Sequence, residues 1–420
     1  MLKRGGYGKD FHHRIGLIEK LPQKKKGITR IWIQAVSLGE VNALKPLINK
    51  WVEKERFEII ITTTTSTAYK RACELYSGKV AKVAAFPFDF WLCSRRAWKR
   101  IDPDMVILME GELWPEHIHQ ARIRKVPVFL INARLSNRSY KRYLKFKFFA
   151  KHLVLKHIVG LLAGSQQDLE RFIAIGVDPN IACCTGNIKF DVKPEFVLSD
   201  LEKTKLKKEM GFLDEKGEIP LILMGSSTWP GEEMLLIEIF ERALSLGLNC
   251  KLLIVPRHAE RREEIQDILR AQKRPWHLRS LSKEAPLGTF IYIGDTVGEL
   301  AMLAQVADLA FIGKSLDPNQ GGQTPIEAAA IGLPLLYGPN MTNFKQICES
   351  LERATNGEVG CKDAGQVKEK VIELLRSAEK RRALGMNLKK WYNQNQGATD
   401  KTLAYIEKFL DTQESTNVTK

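Results

Sequence analysis

Apolar positions along the chain fall into two alternating patterns. Short β-branched runs such as TRIWIQAV, FEIIITTT and DMVILM are followed by segments with helical spacing, such as NALKPLINKWVEK. Continuous apolar runs alternating with helices predict βαβ units and a parallel sheet covered on both faces. The runs AKVAAF, VPVFLINA, VGLLAGS and the stretch 181–188 complete a first set of strands. From Asp191 to Glu218 the chain turns polar, with KTKLKKEMG and DEKGE, before the pattern restarts in PLILMGSS, KLLIVPRH, TFIYIGD, ADLAFIGKS and LPLLYGP. Two tandem doubly wound α/β domains are therefore expected, at 1–191 and 219–420, joined by a linker region at 192–218, with the last helix a candidate to pack back on the first domain. The polar linker and the length both disfavour a single large sheet.

Composition changes this picture in one respect. The 420 residues are 44% hydrophobic, ample for a buried core, but the net charge is +16. Residues 1–190 hold 34 Lys and Arg against 16 Asp and Glu, a net +18, whereas the remainder holds 31 against 33, a net −2. The first half is thus expected to meet an anionic partner. Its stretch RSYKRYLKFKFFAKHLVLKHI (138–158) interleaves basic and aromatic residues. It reads either as an amphipathic helix on an anionic membrane surface or as a packed helix with a solvated face. Nucleic acid is not expected, because no helix-turn-helix, RNP-like or zinc-finger pattern accompanies the charge. Seven scattered cysteines without a CxxC pair point to reduced thiols in a cytosolic compartment. The histidines show no HExxH, and His117 and His119 would face different sides of a helix, so no metal site is read. No run of about 18 apolar residues is present, and the start MLKRGGYGKDFHHR lacks the apolar segment of a signal peptide.

Ligands of doubly wound sheets sit beyond the carboxyl ends of the strands, so the strand-to-loop junctions are where chemistry is expected. In the first half these are SLGE (Ser37, Gly39, Glu40), MEGELWP (Glu110, Glu112) and NARLS (Arg134). Glu40 has two readings. It is either an acid stabilised by the helix dipole, a term of ~0.3–1 kcal/mol, or a general base, with Gly39 allowing a tight turn and the helix N-terminus keeping the carboxylate ionised. Glu110 and Glu112 would be exposed at the sheet's rim. In the second half, GSST (225–228, with Ser227) before a helix offers backbone N–H groups to a phosphate. VPRH places Arg257 and His258 at a strand end, and arginine suits bidentate phosphate binding. GDTVGEL and NQGGQTPIEAAA add two glycine-containing turns; Glu327, three residues after Thr324, is either a helix cap or an acceptor for ribose hydroxyls. Together these turns point to a nucleotide.

As a set, AVSLGEV, MEGELWP, INARLS, TGNIKFD, VPRH, GDTVGEL and GGQTPIEAAA resemble the motifs of the Kdo transferases, which move 3-deoxy-D-manno-oct-2-ulosonic acid (Kdo) from CMP-Kdo to lipid A. The resemblance spans roughly residues 30–400 in order. It implies the GT-B architecture, two Rossmann-like domains facing across a cleft, with the lipid A precursor on the first and CMP-Kdo on the second. It also implies Glu40 as the proton acceptor and Glu110 and Lys189 as transition-state stabilisers. The implied donor site comprises Pro256, Arg257, Val297, Gly298, Glu299, Thr324, Pro325, Ile326 and Glu327, with Ser37, Gly39, Glu112, Arg134, Ser227, His258, Gly322 and Gln323 as further candidates. No cofactor, a monomer, and a peripheral place on the cytoplasmic face of the inner membrane are expected. Two motifs depart from the family: EGELWP stands where ETELWP is usual, and GGQTP where GGHNP is usual. Another GT-B nucleotide-sugar transferase, or a non-catalytic membrane-surface binding protein of this fold, are the alternatives.

Overall fold

A computed structural model describes residues 8–193, 196–213 and 219–418; the segments MLKRGGY and DEKGE read above lie outside these. The chain divides into two compact units, residues 1–192 with 395–420, and residues 193–394.

The first unit is built on seven parallel strands: β1 (Thr29–Ala35), β2 (Phe57–Thr63), β3 (Lys82–Ala85), β4 (Met105–Met109), β5 (Val128–Ala133), β6 (Gly160–Ala163) and β7 (Ala182–Cys184). Their spatial order is β3-β2-β1-β4-β5-β6-β7, so the winding reverses between β1 and β4. Because successive side chains alternate faces, Trp32 packs with Phe86, Trp98 and Leu108 on one face, while Ile31 and Ile33 pack with Trp51, Ile59 and Ile107 on the other. The second face is closed by the end of the chain. Asp191 accepts from the Gly397 and Thr399 N–H groups at 2.7 and 2.5 Å, and Ala398, Leu403 and Ile406 of helix Ala398–Val418 join this core.

The second unit has six parallel strands: β8 (Leu221–Thr228), β9 (Cys250–Pro256), β10 (Trp276–Leu278), β11 (Ile291–Ile293), β12 (Leu309–Ile312) and β13 (Leu335–Tyr337). The order β10-β11-β9-β8-β12-β13 reverses its winding between β8 and β12. Strand β10 has no apolar run to announce it; three residues, Trp-His-Leu, form the sheet's edge.

Three expectations are revised. The segment expected as a linker contains helix Asp200–Glu209, started by a capping box between Ser199 and Glu202 and anchored by buried Leu206, Met210 and Phe212. Its polar surface conceals that narrow apolar stripe. GSST does not precede a helix directly, because β8 runs through Thr228 and the next helix, Glu232–Ser245, starts after Gly231. The basic stretch is not one helix: it breaks at Phe146 (φ −110°, ψ 31°) into Asn137–Lys145 and Lys147–Leu153. Phe146, Phe148, Phe149 and Leu153 of this segment are exposed. No helix among the described residues is long and apolar enough to cross a membrane.

Candidate active site

The winding reversal of the first sheet puts the ends of β1 and β4 side by side, and each carries an acid. After β1, Ser37 caps helix Leu38–Ala43 by accepting from the Glu40 N–H (3.3 Å). The Glu40 carboxylate turns back on the same helix start, accepting from the Ser37 hydroxyl at 2.8 Å and the Val36 N–H at 2.9 Å. The S-x-x-E spacing of a capping box is in the sequence, but the carboxylate takes the N–H of Val36, one residue before the cap, in place of the Ser37 N–H. Only 5% of Glu40 is exposed. Gly39 lies within the helix with a negative φ, and a Cβ there would meet nothing nearer than Ser37 Oγ at 3.9 Å. No tight turn requires this glycine; it leaves the surface beside Glu40 open.

After β4, Glu110 adopts a left-handed conformation, φ +53°. Its Oε1 accepts from Lys189 Nζ at 2.6 Å and lies 3.6 Å from an Arg134 guanidinium nitrogen. Lys189 comes from the 3-10 turn Ile188–Asp191, the turn whose Asp191 holds the chain's C-terminal segment. Contrary to the expected exposure, Glu110 and Glu112 are half-buried. The close approach of Gly111 also has a visible reason: a Cβ there would lie 3.1 Å from the Arg134 carbonyl oxygen. The motif reading overlooked Asn132. Fully buried at φ +49°, it accepts from the Ile188 N–H at 3.3 Å and directs its amide towards Glu110 at 3.5 Å. The signal was a lone amide inside the apolar run VFLINA.

These contacts divide the three acids. Burial raises the Glu110 carboxyl, but Lys189 and then Arg134 outweigh it and hold Glu110 below the usual range. Glu112 is raised by burial and by Glu110. Glu40 is pushed up to about 7, first by burial and then by the Glu110 charge, against the pull of the Val36 N–H and Ser37 hydroxyl. The expectation that the helix N-terminus keeps Glu40 ionised is thus overturned. One fixed anion stands beside one acid that gives up its proton near neutrality, a suitable pKa for a general base.

In the second unit the carried-over residues share the carboxyl edge of four adjacent strands. Pro256 ends β9, and exposed Arg257 follows it, its N–H donating to the Thr228 carbonyl at 3.1 Å. His258 packs edge-on against Trp229, ring centroids 5.1 Å apart. After β11, Val297 is 90% exposed and Gly298 is left-handed with open space around it. Glu299 is already engaged, accepting from Arg279 at 2.7 Å through both oxygens. After β12, the loop reaches Gly322, left-handed and packed on Met341, and half-buried Gln323, whose N–H donates to Gly313 O. Thr324 accepts from the Ile326 N–H, Pro325 and Ile326 are buried, and exposed Glu327 makes no capping bond, so its reading as a cap fails. Dense surroundings raise the Glu327 carboxyl against the pull of Arg257. Ser227 is left-handed at a bulge in β8.

Of the histidines, His117 is fully buried, accepts from Trp98 Nε1, and is held down to about 3 by burial. Asp10, His12 and His13 bring ligand-type atoms within 4.8 Å of one another. Asp10 already accepts from the Tyr69 hydroxyl (2.9 Å), and His13 Nδ1 from the Ala85 N–H (3.4 Å).

Three comparisons bear on this geometry. A family model described as 3-deoxy-D-manno-octulosonic-acid transferase (kdotransferase) matches residues 9–192. The 3-deoxy-D-manno-octulosonic acid transferase of Haemophilus influenzae is 31% identical over 385 residues, covering 91% of this chain and 87% of that protein. The Bordetella pertussis protein of the same description is 30% identical, covering 90% and 87%. Among solved structures, UDP-GlcNAc 2-epimerase from Neisseria meningitidis bound to UDP-GlcNAc superimposes with a TM-score of 0.61. That match covers 90% of this chain and 100% of the epimerase, and at 14% identity it establishes the fold alone.

Proposed function

The chain belongs to the 3-deoxy-D-manno-octulosonic acid (Kdo) transferase family and is a glycosyltransferase of lipopolysaccharide biosynthesis; we propose that it moves Kdo from CMP-Kdo to a sugar hydroxyl of a lipid A precursor, with inversion. The observation that carries this reading is Glu40, buried and titrating near 7 beside the Glu110–Lys189 pair. Ionised Glu40 takes the proton of the acceptor hydroxyl as its oxygen attacks the anomeric carbon and CMP departs. Glu110, fixed as an anion by Lys189 and Arg134, raises the basicity of Glu40 and favours the oxocarbenium-like carbon. Lys189 holds that anion in place while offsetting charge that builds up on the reacting groups. Asn132, bonded to both sides, orients the pair.

The donor is assigned to the second unit, whose exposed Arg257 meets the phosphate of CMP. A phosphate monoester leaving group carries less charge than a diphosphate, and an arginine neutralises it without a divalent ion. The first unit's excess charge and the exposed aromatics Phe146, Phe148 and Phe149 among lysines fit a phosphorylated amphiphile presented by an anionic membrane surface. The reading places the enzyme as a peripheral protein on the cytoplasmic face of the inner membrane. Incubation with CMP-Kdo and a lipid A precursor, read by mass spectrometry, tests it. Gain of Kdo mass by the lipid supports the assignment, and transfer from a UDP-sugar instead would replace it.

A further inference from the structure

The winding reversal of the second sheet, between β8 and β12, is occupied by two residues that the motif comparison passed over. Trp229 follows β8 and Lys314 follows β12. Lys314 Nζ stands 4.4 Å above the centre of the Trp229 ring, whose neighbour is His258, the residue after Arg257. The two backbones are tied at one point. The buried Glu232 carboxylate accepts from the Trp229 N–H (2.9 Å) and from the N–H groups of Lys314, Ser315 and Leu316 (2.8, 2.9 and 3.3 Å). The Lys314 carbonyl in turn accepts from the Gly322 N–H at 2.9 Å, joining this point to the GGQTP turn.

A lysine on an aromatic face is commonly a solvated side chain lying on apolar surface. Two features set this one apart. Lys314 is held at φ +61°, a conformation that disfavours side chains and is kept where surrounding structure enforces it. Half-buried Lys314 also has no carboxylate within ion-pair distance among the described residues, although five acids stand on this edge. Four of them are satisfied elsewhere, Glu232 by backbone amides, Glu233 by Arg261, Asp295 by Arg262 and Glu299 by Arg279, and the fifth, Glu327, lies in the field of Arg257. The cation is oriented by the ring and left for an anion from outside, at the position where doubly wound sheets bind ligands.

We propose that Lys314, steadied by Trp229, binds the carboxylate of the donor's sugar, leaving Arg257 for the phosphate. The inference rests on reading the second unit as the donor side. A nucleotide-linked ulosonic acid carries two anions, a carboxylate and a phosphate, on its anomeric carbon, and one arginine does not cover both. Recognition of the carboxylate would let the enzyme distinguish the loaded donor from free CMP.

The test compares affinities of the full chain for CMP and for CMP-Kdo by calorimetry. Lys314→Met keeps the stem on the Trp229 ring and removes the charge, and Lys314→Arg restores a cation. Charge-assisted hydrogen bonds of this kind correspond to about a tenfold to hundredfold change in affinity. Lys314→Met is expected to weaken CMP-Kdo by that factor while leaving CMP within about twofold, with Lys314→Arg recovering most of the loss. If Lys314→Met weakens both ligands equally, or neither, with an unchanged unfolding temperature, the proposal is overturned. If the unaltered protein binds no CMP at all, the donor assignment itself falls, and the role of Lys314 with it.

Discussion

The two units present the same edge of the same fold to their ligands, and they prepare it in opposite ways. At the winding reversal of the first sheet, three acids gather and two cations are spent on one of them, so that Glu40 is left with a proton to lose near pH 7. At the reversal of the second, four of five acids are neutralised internally by amides and arginines, so that Lys314 and Arg257, the latter with Glu327 in its field, remain. Bulk charge would suggest the reverse, since the first half carries +18 and the second −2. Local pairing, not net charge, decides which sign a site shows. The net charge acts at longer range, on the encounter with an anionic surface.

The largest effect that would break this comparison is at Glu40. Glu40→Gln keeps the shape of the helix cap and removes the base, and kcat is expected to fall by ~10²- to 10⁴-fold. A loss of tenfold or less, in a rapid-quench or mass-spectrometric transfer assay, would place the base elsewhere. Stability offers a second view of the same group. A carboxyl raised from 4.5 to about 7 favours folding below 4.5 and loses that contribution, ~3 kcal/mol, as pH rises to 7. Glu40→Gln should therefore flatten the pH dependence of urea unfolding between those values.

On the cationic side, Arg257→Ala should raise the KM for CMP-Kdo by ~10- to 100-fold with a smaller change in kcat. Equal loss in both would move Arg257 from binding to the chemical step. Excess EDTA should leave the rate unchanged, and abolition would call for a metal in phosphate departure. The smallest effect is expected at Gly39→Ala, where the methyl enters open space: unfolding is unaltered or slightly strengthened, and any rise in acceptor KM reports crowding beside Glu40.

Much of this was legible in the chain. The strand-end acids Glu40 and Glu110 and the turn carrying Lys189 announce themselves by position, because a βαβ pattern fixes which ends are carboxyl ends. The Ser37 cap three residues before Glu40 was also readable; the Glu40 carboxylate fixes the turn into that helix and, in the proposed mechanism, meets the substrate. What could not be read was anything set by distant pairing. The proximity of Glu110 to Lys189 joins positions 79 residues apart, and the burial of Glu40, with the Glu110 charge second, is what works against the helix N-terminus keeping Glu40 ionised. Lys314 was hidden for the same reason, since only the sheet order brings it over Trp229. The boundary at Asp191 was visible as a change in polarity. The last helix was a candidate to pack back on the first domain, and residues 395–420 do belong to the first unit, with Ala398, Leu403 and Ile406 in its core; the two backbone bonds to Asp191 that help hold it left no local mark.

The central claim, that Glu40 is a base tuned by its neighbours, is tested most directly by the pH dependence of kcat/KM for the unaltered protein and Glu110→Gln. The unaltered enzyme should lose activity tenfold per pH unit below about 7, and removing the Glu110 charge should move that limb to lower pH. A limb that stays in place in Glu110→Gln, or no acidic limb near 7 at all, would contradict it.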